Sequence, residues 1–284
     1  MIEQFTSAKS IHDRISELKR QGKKIGFVPT MGALHFGHMT LISKAVEEND
    51  VVVCSIFVNP KQFNNPEDLA KYPRTLDEDL KMLAQHKCEL VFVPSVEEVY
   101  PEEISLGYNF GSLELEMEGK HRPGHFNGMA IVVKRLFDIV TPNRAYFGDK
   151  DYQQLLIVKK LVEIEQLPIE IIGCEISREP SGLAMSSRNK RLTNLQKNQA
   201  AVIFKELTHL AHEFKSDLKW VDELIKDAIN RVNQLDDFEV EYISLVDENT
   251  MLPYQNGEKM LNPHLFAGVK VGNVRLIDNL PIIV

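Results

Sequence analysis

Apolar positions along the chain follow two different periods. Ile11, Ile15 and Leu18 recur at helical spacing, and Gly22 follows as a stop signal. Residues 24–28 then form a short apolar strand, closed by Pro29. The spacing predicts a helix over 38–48, with Leu41, Ile42, Ala45 and Val46 on one face. The run 51–58 (VVVCSIFV) is rich in β-branched residues, the pattern of a parallel strand buried on both faces. Thr75 and Glu78 have the spacing of a capping box ahead of a helix that carries Leu76, Leu80, Leu83 and Ala84. Residues 90–93 read as another short strand, 126–140 as a helix, 144–147 as a strand, 152–165 as a helix and 169–173 as a strand. This alternation predicts an α/β fold, a doubly wound parallel sheet.

The pattern changes after about residue 175. Two polar-faced helices are expected at 194–214 and 218–235, then an alternating strand at 238–246 and a second strand-like run at 265–277. This is a smaller α+β domain. The expected division is therefore 1–175 and 176–284, with no internal repeat.

Composition narrows the function. The chain has 284 residues, 33 Lys and Arg against 41 Asp and Glu, and a formal net charge of −8. With 43 % hydrophobic and 26 % charged residues it has an ordinary globular composition, and its length suggests one to two domains. An acidic balance opposes a nucleic-acid surface, which needs a net basic face. Cys54, Cys88 and Cys174 form no metal-type spacing and point to buried, reduced thiols in the cytosol. No stretch approaches the roughly 18 apolar residues of a membrane span. The first twenty residues mix both charge signs without an apolar core, unlike a signal peptide.

Five segments could carry chemistry. The first is Thr30-Met31-Gly32-Ala33-Leu34-His35-Phe36-Gly37-His38, between a strand and a helix. His35 and His38 are three apart and share a face of the first turn. Helix-start N–H groups and two imidazoles would suit a phosphate. This resembles the HIGH signature of adenylate-forming α/β proteins. The second, Met185-Ser186-Ser187-Arg188, offers hydroxyls and an arginine after Gly182, and resembles the KMSKS loop of the same superfamily. The third, Gly148-Asp149-Lys150-Asp151 with Gln153 and Gln154, follows a strand end, where α/β sheets bind ligands. Gly148 suits a tight turn there, and Asp151 also suits a helix cap. The fourth holds Asn59 and Gln62, uncharged two-way groups suited to a hydroxy acid. The fifth, 121–128, is Gly-rich and holds His125. Each segment alone also reads as an ordinary turn or helix start.

In this order and spacing the five segments resemble the pantothenate synthetase (pantoate–β-alanine ligase) family, over nearly the whole chain. The resemblance implies a Rossmann-like domain at 1–175 binding ATP and substrates, a C-terminal lid at 176–284, a homodimer and Mg²⁺. It implies condensation of pantoate with β-alanine through a pantoyl adenylate, releasing AMP and pyrophosphate. It assigns Met31 to His38, Gly148 to Asp151, Ser177 and Met185 to Arg188 to ATP. His38, His35, Lys150 and Arg188 would act on the reacting phosphates. Gln62, Gln154, Asn59 and His125 would hold the substrates. Ser177 stands where the family commonly has valine, and Ser181 where it commonly has aspartate.

Other readings share these motifs. A nucleotidyltransferase that keeps the nucleotide in its product would use the same core. A class I tRNA synthetase needs more basic surface than a chain of net charge −8 offers. A catalytically silent nucleotide-binding protein would be expected to lose one of the histidines or Lys150. Much of the acidic excess lies outside the motifs, at Glu97-Glu98, Glu102-Glu103, Glu114, Glu116, Glu118 and Asp236-Asp237.

Overall fold

The structure is a computed structural model that describes residues 2–63, 66–102, 107–216, 220–255 and 260–282. The chain forms two compact units. The first comprises Met1–Phe110, Arg122–Asp149 and Gln153–Glu175; the second comprises Gly111–His121, Lys150–Tyr152 and Ile176–Val284.

The first unit is built on six parallel strands: β1 (Glu3–Phe5), β2 (Ile25–Thr30), β3 (Val51–Ile56), β4 (Leu90–Phe92), β5 (Arg144–Gly148) and β6 (Glu170–Cys174). Their order is β1-β4-β3-β2-β5-β6. The chain moves outward from β2 through β3 to β4, then returns to β5 on the other side of β2 and continues to β6. The winding reverses between β2 and β5, the switch point where doubly wound sheets bind ligands beyond the strands' carboxyl ends.

Both faces of this sheet are covered, so its central strands β2, β3 and β4 are almost wholly buried. The helix Phe36–Glu48 buries Met39, Leu41, Ile42 and Ala45 against Val28, Val52, Cys54, Val91 and Tyr146. Val46, expected on the same face, is half-buried. On the other face the helix His125–Val140 places Phe137 edge-on to Phe27 and Phe147, with ring centroids at 6.3 and 6.5 Å. The helix Ala8–Arg20 packs beside it, burying Ile11, Ile15 and Leu18.

Several details differ from the pattern reading. β2 runs through Pro29, which pairs in register with Ser55. Pairing to β5 covers only Gly26 and Phe27, so beyond Phe27 the strand has an open side where a residue without N–H is tolerated. The edge strand β1 is only three residues long, too short for periodicity to reveal. Thr75 makes no side-chain cap; its hydroxyl donates to Asp79 Oδ1 at 3.1 Å. The helix expected over 194–214 divides into Asn194–Gln199 and Val202–Ser216.

The second unit carries an antiparallel sheet of β7 (Phe238–Asp247), β8 (Pro263–Val271) and β9 (Val274–Pro281), in that order. The strand-like run at 265–277 is thus two strands, because Gly272 and Asn273 reverse the chain. Ile203, Leu207, Leu210 and Phe214, at helical spacing along Val202–Ser216, pack with Ala228 and Val232 against Leu245, Leu265 and Leu276. The second helix of this layer is Val221–Asn233; residues 218 and 219 of the expected element lie outside the described residues.

One glycine in the first unit is set by close packing. A Cβ on Gly128 would lie 2.2 Å from Lys61 O and 3.2 Å from Gln62 Cα. The helix His125–Val140 therefore rests directly on the turn Pro60–Gln62. Gly128→Ala is expected to cost about 1–3 kcal/mol by overpacking, because the obstruction is backbone. A thermal melt unchanged from that of the unsubstituted chain would contradict this packing.

Candidate active site

The turn after β2 is set by two left-handed residues in succession, Gly32 at φ +79° and Ala33 at φ +49°. Such backbone is strained for alanine and brings successive N–H groups to one side. Asp79, from the helix Leu76–Gln85, is buried there and accepts from both Ala33 N (2.9 Å) and Leu34 N (2.8 Å). Thr30 accepts from Gly32 N at 3.1 Å and donates to Ser55 O at 2.7 Å. No motif in the sequence singled out Asp79. Its one local signal is the acidic first turn of its helix, Asp77-Glu78-Asp79, which does not say which carboxylate turns inward.

His35 is the N-cap of the helix Phe36–Glu48. Its Nδ1 accepts from Gly37 N at 3.1 Å, and His38 Nδ1 accepts from His35 N at 3.3 Å. The rings lie 4.1 Å apart between centroids. Because both Nδ1 atoms accept from backbone, each neutral ring carries its proton on Nε2. That is the nitrogen through which an imidazole donates to a phosphate oxygen. The N–H donors expected to be open here are partly used: Gly37 N is capped, and His38 N donates to His35 O at 2.9 Å. Those two backbone donors are therefore already used within the turn. Phe36 is exposed beside them.

A second network joins Met31 to the fourth and fifth segments. Gln62 is buried, its Oε1 accepts from Asn59 Nδ2 (3.2 Å), and its Nε2 lies 3.0 Å from Met31 Sδ. A thioether is a weak acceptor, so a carboxylate or hydroxyl could replace it at little cost. Asn59 is fully engaged: Nδ2 also donates to Gly128 O (3.1 Å), while Oδ1 accepts from Tyr100 OH (2.8 Å) and Lys61 N (3.2 Å). This amide holds Gln62 from one side. His125 Nδ1 lies 2.9 Å from Gln62 O, and Arg122 Nη1 lies 3.0 Å from His125 Nε2. Arginine only donates, so His125 Nε2 accepts and its Nδ1 carries the proton to Gln62 O.

Gly148 ends β5, beside β2. The chain turns tightly there, into the 3-10 turn Asp149–Asp151, but Gly148 has no left-handed backbone and a Cβ on it would meet nothing within 4 Å, so the turn does not require glycine. Asp149 follows, and Gln154 lies half-buried in the helix Tyr152–Ile164, with Gln153 buried beside it.

The remaining candidates belong to the second unit. Lys150 Nζ is 4.0 Å from the exposed Asp151, and Lys150 O accepts from Asn279 Nδ2 at 3.0 Å. Ser177 O accepts from Met185 N at 2.9 Å, closing a hairpin bridged between Arg178 and Ala184. Ser186 caps the turn Ser187–Arg191 by accepting from Arg188 N at 3.2 Å. Arg178 was also not singled out in the sequence; it pairs with Asp278 at 2.7 Å.

The three cysteines are free and buried. Burial raises the Cys54 thiol well above its ordinary range, and pushes Cys88 up to about 12 and Cys174 up to about 11. They stay protonated at neutral pH and supply no thiolate nucleophile. Among the described residues no group of three His, Cys, Asp or Glu could hold a metal ion, and no helix is long and apolar enough to cross a membrane.

Comparison with known proteins identifies relatives over nearly the whole chain. The sequence model of the family described as pantoate-beta-alanine ligase matches residues 3–281. The chain is 50 % identical over 265 residues to a pantothenate synthetase of Azobacteroides pseudotrichonymphae, covering 93 % of this chain and 94 % of that one. It is 45 % identical to one from Cytophaga hutchinsonii, over 98 % and 99 % of the two chains. Among solved structures, pantothenate synthetase from Thermus thermophilus superposes with a TM-score of 0.90 at 36 % identity, over 99 % of both chains. Pantoate-beta-alanine ligase from Francisella tularensis, complexed with beta-gamma ATP and beta-alanine, gives 0.82 at 38 % identity, over 99 % of this chain and 98 % of that one.

Asp79→Ala leaves two buried N–H donors unpaired and should cost about 2–6 kcal/mol, given about 1–3 for each orphaned donor. Asp79→Asn, which keeps one acceptor, should fall between. Thermal melts of the three proteins test this order, and equal stabilities would refute it.

Proposed function

The chain belongs to the pantoate–β-alanine ligase family, and from that premise we propose which of its residues carry the reaction. It is an enzyme, an ATP-dependent ligase that joins pantoate to β-alanine to form pantothenate. The reaction runs in two steps. The pantoate carboxylate attacks the α-phosphorus of ATP in line, and pyrophosphate leaves. The neutral amine of β-alanine then attacks the carbonyl of the pantoyl adenylate, and AMP leaves.

Both reactants of the first step are anions, so the protein must supply positive field and fixed donors. His38 and His35 donate from Nε2 to phosphate oxygens, and the helix that they cap adds its positive end. Lys150 and Arg188 balance the developing pyrophosphate charge. Met31 to Leu34, Phe36, Gly37, Gly148, Asp149, Asp151, Ser177 and Met185 to Ser187 line the nucleotide. Gln62 and Gln154 take pantoate, and Gln62 takes β-alanine in turn. His125 and Asn59 hold Gln62 from its carbonyl and its amide. The observation that carries this reading is the paired histidine cap at the carboxyl end of β2, joined through Met31 to Gln62.

Mg²⁺ arrives on the nucleotide, since that ion is commonly held by one or two carboxylates plus substrate phosphates. The family resemblance supports a homodimer. The buried, free cysteines support a cytosolic setting.

Pantoate-dependent exchange of pyrophosphate into ATP reports adenylate formation directly. His38→Ala should lower that exchange by about two to three orders of magnitude, the range for losing a preorganised donor. The accompanying loss of the cap should cost only about 1 kcal/mol of stability. Normal exchange in the variant would remove His38 from the mechanism. Gln62→Ala should raise KM for pantoate well before KM for ATP; an unchanged pantoate KM would count against its assignment.

A further inference from the structure

Neighbouring residues of β9 each hold one of the cationic segments of the second unit. Asp278 and Asn279 are both almost fully buried, and consecutive strand residues face opposite ways. Asp278 takes the Arg178 guanidinium at two points, Nη1 to Oδ2 at 2.7 Å and Nη2 to Oδ1 at 2.9 Å. Arg178 also donates to Gly182 O at 3.1 Å and lies 3.7 Å over the Phe204 ring. This fixes the hairpin that runs directly into Met185, Ser186, Ser187 and Arg188.

Asn279 Nδ2 donates to Lys150 O at 3.0 Å. Its amide is itself oriented, because His264 Nε2 lies 2.9 Å from Oδ1. With Nδ2 serving as the donor to Lys150, Oδ1 is the acceptor, so the proton between them belongs to His264. His264 is buried, its Nδ1 lies 3.3 Å from Glu248 Oε2, and its ring contacts those of Tyr152 and Phe266 at 4.5 Å each. Tyr152 belongs to the same short segment as Lys150.

We infer that Asp278 and Asn279, with His264 behind Asn279, are positioning residues that hold Lys150 and the Met185–Arg188 loop in one frame for the phosphates of ATP. This rests on the proposed roles of Lys150 and Arg188. The bond from Asn279 reaches the lysine's backbone and leaves its ammonium untouched. It fixes where the flexible stem begins without changing the charge delivered. A displacement of about 1 Å is enough to cost up to about 100-fold in rate.

The test compares Asn279→Ala, His264→Leu, His264→Gln and Lys150→Ala in the full chain, with KM and kcat for ATP and for pantoate alongside thermal melts. Asn279→Ala should lower kcat/KM for ATP about 10- to 100-fold while the pantoate KM stays within about twofold. His264→Leu should shift it the same way, and His264→Gln, which keeps an N–H near the Nε2 position, should recover most of the loss. A purely structural role would lower the melting temperature and the active fraction, leaving the ATP KM unchanged. If Asn279→Ala and His264→Leu leave the ATP parameters normal while Lys150→Ala is inactive, the inference fails and the reading of Lys150 stands. If Lys150→Ala is fully active, both fail. Should Asn279→Ala not fold, equal ATP kinetics for His264→Gln and His264→Leu overturn the inference.

Discussion

The Asp79 carboxylate is the constraint on which the first unit's site depends. The chain leaves β2 through left-handed backbone at Gly32 and Ala33, a conformation that costs of order 1–3 kcal/mol for alanine. The N–H groups that this geometry brings together need an acceptor, and the buried carboxylate supplies it to both Ala33 and Leu34. Asp79 can do so because Leu83, one turn along its helix, packs in the same core as Val28, Leu34 and Met39. Ordinary apolar packing thus fixes where the histidine cap begins. The strain in the turn is held by the helix–sheet contact, so stability and function meet at one side chain.

Beyond that turn, polar groups divide by whether their hydrogen bonds are already made. Asn59 has both amide hydrogens and its oxygen engaged by protein, and His125 is oriented by Arg122 and spent on Gln62 O. Such groups are rigid supports. Gln62 differs, because its Nε2 rests on a thioether sulfur, a weak acceptor. The same division recurs in the second unit, where Asp278 and Asn279 serve backbone and guanidinium partners rather than presenting charge themselves.

Much of the fold was legible because it rests on periodicity. The central parallel strands are largely apolar, since helices cover both sides, and that pattern marked β2 to β6 closely. Where a local cue was the only guide, it misled. Pro29 looked like a stop, yet the strand continues because one of its edges is unpaired there. Thr75 and Glu78 looked like a cap, yet Thr75 turns to Asp79. β1 is too short to have a period, and the reversal at Gly272 was hidden by apolar residues on both sides. The candidate residues stood out where they are close in sequence, as His35 and His38 are.

The sequence by itself determined the alternation of strand and helix, the change of pattern after residue 175 and the segments rich in histidine, lysine and arginine. These follow from spacing along one chain, which local periodicity and turn chemistry record. Only the tertiary structure decided that Asp79 reaches Ala33 across 46 positions, that Gly128 must be bare for Lys61, and that Asn279 holds a carbonyl 129 residues away. Long-range partners are chosen by which faces pack together, and hydrogen-bond satisfaction between them leaves no trace in neighbouring residues. Asn59 shows the difference most clearly: its type suggested a ligand contact, and only the tertiary structure reveals that protein groups engage both its amide hydrogens and its oxygen.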